Sequence, residues 1–138
     1  MMKTQRFSYT PMPGFIGGMP FVDIQLSHNE RSISASALTD SGSALNILPF
    51  DVGLELGFIW EKQTFPLDLR GTLRDSQAYA VLVRTELAPF PSLDLGFAWV
   101  SRPVADIRIL LGQVNFFQEF NISFYGHHQV FDITPRSR

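Results

Sequence analysis

The stretch Ser34-Ala35-Ser36-Ala37-Leu38-Thr39-Asp40-Ser41-Gly42-Ser43 runs like a β-strand and then delivers one carboxylate into a tight turn. Small and apolar residues alternate up to Ala37-Leu38-Thr39, and beyond the turn the run Ala44-Leu45-Asn46-Ile47-Leu48 stops at Pro49. The order is therefore strand, acid turn, strand. A carboxylate followed by a hydroxyl and a glycine suits a loop whose backbone N–H groups point back at the acid, because glycine leaves room that a Cβ would fill. Such a loop can hold a carboxylate ready for acid/base work, although an Asp-Ser-Gly sequence between strands is more often a plain turn. Far downstream, Ile107-Arg108-Ile109-Leu110-Leu111-Gly112 reads as a second buried strand closed by glycine. Phe116-Phe117-Gln118-Glu119-Phe120 follows as a short helical candidate.

Together the two blocks resemble the retropepsin-like aspartic proteases. The resemblance rests on Ala37-Leu38-Thr39-Asp40-Ser41-Gly42, on the apolar run to Pro49 and on the hydrophobic-hydrophobic-glycine element Leu110-Leu111-Gly112, which frame residues 21–131. It implies an all-β domain, a closed barrel with one short helix near the C-terminus. It also implies an aspartic endopeptidase acting on peptide or protein substrates, with neither cofactor nor metal. Chemistry of this kind needs two carboxylates sharing a proton. The only other Asp-Ser pair is Asp75-Ser76, where Gln77 stands in place of the glycine. The expectation is thus a homodimer in which Asp40 of each chain supplies half of the catalytic site. In the resemblance Ser41 bridges the two loops, Gly42 donates its N–H toward the carboxylates, and a connection at Gly71, Thr72 and Leu73 is the substrate-binding flap. Two residues depart from retroviral members. Ser43 replaces alanine, as in pepsin-like enzymes, and is expected to donate to the outer oxygen of Asp40. Gln113 replaces an arginine, so the charge contact which that arginine makes near the dimer base is missing.

Composition narrows the rest. The chain has 138 residues, 45% of them hydrophobic, enough for one domain with a core and too few for two. A net charge of −2 without any basic run argues against a nucleic-acid surface. Cysteine is absent, which excludes disulfides, thiolate catalysis and cysteine-ligated metals. No stretch has the length and apolarity of a signal peptide or membrane span, so no membrane partner and a cytoplasmic location are expected. The 13 phenylalanines favour strands.

Residues 1–20, rich in Gly and Pro, read as an irregular arm, and residues 21–138 as a single domain. Phe21–Leu26 and Ser32–Thr39 form a hairpin leading into the acid turn, and Phe50–Gly57 is a short turn of helix stopped by Gly57. Phe65–Arg70 and Gln77–Arg84 are strand candidates, as is Leu93–Val100. Asn121–Tyr125 and Gln129–Ile133 close the chain as a hairpin. His127-His128, read as opposite faces of a strand without carboxylate neighbours, is not a metal pair, and Phe116, Phe117 and Phe120 read as core or subunit contact. Two other functions fit the residues: a catalytically inactive binding or scaffold domain of the same fold, and an unrelated small β-barrel that binds a small molecule as a monomer.

Overall fold

The computed structural model describes residues 3–137; Met1, Met2 and Arg138, which the expected arm and domain include, lie outside the described residues. Strand β4 (Phe21–His28) turns back through Asn29 and Glu30 into β5 (Arg31–Thr39), with Phe21 opposite Leu38 and His28 opposite Arg31. Asn29 takes the left-handed conformation, φ 54°, that a two-residue hairpin turn demands. Along β4, Val22, Ile24 and Leu26 point inward, the period of two that the sequence carries.

Strand β6 (Asn46–Leu48) follows the acid turn, then β7 (Ala78–Glu86), β8 (Leu93–Val100) and β9 (Ile109–Leu111). These six form a closed barrel in the order β4-β5-β9-β6-β8-β7. Two neighbouring pairs in it run parallel, β5 with β9 and β6 with β8. Such pairs need long crossovers, which is how chain segments far apart in sequence come to lie side by side at the acid turn.

Helix α1 (Phe50–Glu55) ends where Gly57, at φ +89°, donates its N–H to the Leu54 carbonyl. Helix α2 (Phe116–Glu119) is the short helix near the C-terminus that the resemblance implies. No helix among the described residues is long and apolar enough to cross a membrane. Trp99, fully buried, anchors the core beneath α1: it stacks on Phe50, meets Trp60 edge-on and donates its indole N–H to the Phe50 carbonyl at 3.0 Å. Phe116 and Phe120 sit in the same core.

The segment expected to be an irregular arm carries three strands. β1 (Gln5–Ser8) joins a second sheet, β1-β11-β10, with the closing hairpin β10 (Phe120–Tyr125) and β11 (Val130–Pro135). β2 (Thr10–Met12) and β3 (Phe15–Met19) pair as a hairpin. Its glycines are conformational necessities of that hairpin rather than marks of irregularity: Gly18, at φ +80°, lies where a Cβ would stand 2.3 Å from the Thr10 carbonyl oxygen. His127 and His128 fall in the turn between β10 and β11, not on a strand.

Candidate active site

Asp40 leaves β5 on a rigid footing. Thr39, just before it, donates both its N–H and its hydroxyl to the Pro20 carbonyl, at 3.1 and 2.8 Å, and Asp40 donates its N–H to the Leu111 carbonyl at 2.9 Å. The turn then closes on itself, the Ser43 N–H reaching the Asp40 carbonyl at 3.0 Å. Gly42 donates its N–H to Asp40 Oδ1 at 2.9 Å, which orients the carboxylate. A Cβ on residue 42 would stand 3.2 Å from that oxygen, so glycine here provides space for the acid.

A second segment runs beside the turn and holds it. Gln113 and Val114 donate their N–H groups to the carbonyls of Ser43 and Ala44, both at 2.9 Å, and Asn46 returns its own N–H to Val114 at 2.9 Å. The two segments approach so closely at Gly112 that a Cβ there would lie 2.4 Å from the Leu45 carbonyl oxygen. Glycine is the only residue that fits. Beneath this seat lies Asn46, with no exposed surface. Its Oδ1 accepts the Gly112 N–H at 2.7 Å, and its Nδ2 donates to the Gly96 carbonyl at 2.9 Å and to Asn115 Oδ1 at 3.1 Å. Asn115 Oδ1 also takes the Gly96 N–H at 3.0 Å. The sequence reading missed Asn46 and Asn115; the one signal was a polar residue inside the apolar run Ala44–Leu48.

The turn opens on a cleft of about 630 Å³. Asp40, Gly42 and Ser43 line it together with Leu45, Ile47, Leu110 and residues 68–73. Gly71, Thr72 and Leu73 thus share the cleft with Asp40, in a single 3-10 turn. The hairpin expected there is not fully formed. Residues 65–70 are not a strand: Pro66 makes an isolated bridge to Tyr79, flanked by the N–H groups of Leu67 and Ala80 bonded across to Ala78 and Phe65. Proline lacks the N–H a ladder needs, which limits the pairing. Asp75 does not line the cleft, whereas Asp68 and Arg70, not singled out in the sequence, do.

Ser43 makes a different bond from the one expected of it. Its hydroxyl donates to the Leu45 carbonyl at 2.7 Å, and a hydroxyl has only one proton to give. It braces the turn and does not donate to Asp40. The Gln113 side chain, where the resemblance anticipated only a missing charge, donates its amide to the Ser41 carbonyl at 2.8 Å.

Arg6 donates twice to Asp132, at 2.8 and 3.0 Å, and this hydrogen-bonded pairing holds the Asp132 carboxyl below and the Arg6 guanidinium above their ordinary ranges. No group of three or more His, Cys, Asp or Glu that could hold a metal occurs among the described residues.

No protein-family model and no curated protein matches the sequence. The structure, however, is similar to the crystal structure of a retropepsin-like aspartic protease from Rickettsia conorii, with a TM-score of 0.67 at 13% identity over 98% of this chain and 92% of that one. At that identity the likeness concerns the fold: this chain has an all-β, retropepsin-like fold.

Proposed function

We propose that the protein is an aspartic endopeptidase that works as a homodimer, with a water molecule activated between the Asp40 carboxylates of two chains. The observation that carries this reading is a carboxylate oriented by a backbone N–H on the wall of an open cleft, at the end of a strand of a retropepsin-like fold. Two carboxylates brought together share one proton, since both cannot ionise at ordinary cost. The ionised one takes a proton from water as its oxygen attacks the peptide carbonyl, and the protonated one gives its proton to the carbonyl oxygen. Collapse of the tetrahedral intermediate then passes a proton to the leaving amine. Ser41 bridges the two loops, Leu45, Ile47 and Leu110 offer an apolar wall to substrate side chains, and Gly71–Leu73 cover the cleft as a flap.

The test is cleavage of a peptide library by the purified protein, inhibition by a pepstatin-like compound, and loss of turnover in a folded Asp40→Asn variant. Specific activity should also fall on dilution as dimers dissociate. Retained turnover in Asp40→Asn, or full activity in a monomer shown by sedimentation, overturns the reading. Peptide binding without cleavage would favour a binding or scaffold domain of the same fold.

A further inference from the structure

We infer that Gln113 is the positioning residue of the Asp40 turn, its side-chain amide locking the peptide unit that presents an N–H to the acid. The Ser41 carbonyl and the Gly42 N–H belong to one planar peptide group, so they turn together and point in opposite directions. At one end the N–H meets Asp40 Oδ1 at 2.9 Å; at the other the carbonyl receives the Gln113 amide at 2.8 Å. Holding the carbonyl therefore holds the N–H on the carboxylate. Without that grip the unit is free to rotate about its flanking bonds, because Gly42 has no Cβ to resist it. The backbone of Gln113 is itself tied to the turn through the Ser43 carbonyl at 2.9 Å, so the clamp arises from a fixed base. Gln113 is exposed, so the contact adds orientation without contributing to the core.

The kinetic part of this inference rests on the proposed peptidase reading; the structural part does not. Two variants separate the clamp from general structure. Gln113→Met keeps the length of the side chain and removes the donor. Gln113→Arg places an Nε–H the same number of bonds from the backbone as the glutamine amide. Amide hydrogen exchange at Gly42, followed by NMR, should speed up by about 5- to 10-fold in Gln113→Met, the size of one lost hydrogen bond, and return toward wild type in Gln113→Arg. The thermal midpoint should fall by no more than about 5 °C in Gln113→Met, the effect of that one bond on the whole domain, and return toward wild type in Gln113→Arg. At protein concentrations that saturate the dimer, kcat should fall by about 10-fold in Gln113→Met with KM nearly unchanged, and recover in Gln113→Arg. Unchanged Gly42 exchange in Gln113→Met, or no recovery in Gln113→Arg, overturns the clamp. If the wild-type protein cleaves no peptide, the peptidase reading fails and the exchange measurement still decides the clamp.

Discussion

Replacing Asn46 with leucine keeps the number and branching of side-chain heavy atoms and deletes three hydrogen bonds under the acid turn. Asn115 Oδ1 retains a donor, the Gly96 N–H at 3.0 Å, so its loss is small. The buried Gly112 N–H, which reaches Asn46 Oδ1 at 2.7 Å, is left beside a hydrocarbon. Two ordinary bonds at about 1 kcal/mol each and one stranded buried donor at about 1–3 kcal/mol sum to about 3–5 kcal/mol. Leucine's more favourable burial offsets about 1 kcal/mol of this. The expected loss is about 3 kcal/mol, a large part of the stability of a domain of this size. With a urea dependence of about 2 kcal/mol per molar, the unfolding midpoint should drop by about 1.5 M. Equilibrium unfolding at a single protein concentration, followed by tryptophan fluorescence, measures this, since the fully buried Trp99 reports on the core. A loss under about 1 kcal/mol at unchanged slope would refute the argument that Asn46 satisfies a buried donor which nothing else can reach.

Other expectations follow from single contacts. Ser43→Ala should leave the acidic limb of the pH–rate profile in place and cost about 1 kcal/mol of stability, because the lost bond goes to the Leu45 carbonyl; a displaced acidic limb would contradict this geometry. Gly53→Ala should destabilise by about 2–3 kcal/mol and disturb tryptophan fluorescence, since a Cβ there would stand 2.1 Å from Trp99 Nε1; near-wild-type urea unfolding would count against it. Arg6→Gln should return the Asp132 carboxyl toward its ordinary value of 3.8. A depressed carboxyl contributes stability that is present above its unfolded value and lost as pH falls through the folded one, so this variant should begin acid unfolding at higher pH. An NMR titration of Asp132 and an acid melt check both halves; an unmoved carboxyl would sink the argument.

What the sequence made legible is local. The strand before Asp40, the glycine after it and the apolar run to Pro49 lie within a few residues of one another, and each obeys a rule of period or turn chemistry. What it hid depends on distance. The Gln113 amide and the Ser41 carbonyl are 72 residues apart, and Asn46 and Gly112 are 66 apart, so no window of sequence contains either bond. Glycine density misled the reading of residues 1–20, because left-handed turns and crowded hairpins use the same residue that irregular loops do. Ser43 was misassigned for a related reason: residue type gives a hydroxyl a donor proton but not a direction, and the Leu45 carbonyl lay within reach. Asp68 and Arg70 went unseen because charges outside a regular strand carry no periodic signal, and only the fold brings them to the cleft that Asp40 lines.

The parallel pairing of β5 with β9 also dictates when the acid turn can exist. A ribosome releases the turn well before its partners, since 72 residues separate Ser41 from Gln113, and contacts of such separation form late in folding. Until then the turn lacks the Leu111 carbonyl that takes the Asp40 N–H and the Gln113 groups that brace it. Translation itself thus imposes a delay: a nascent or truncated chain ending before Gly112 carries the carboxylate without the geometry, and a competent turn is a property of the finished fold alone.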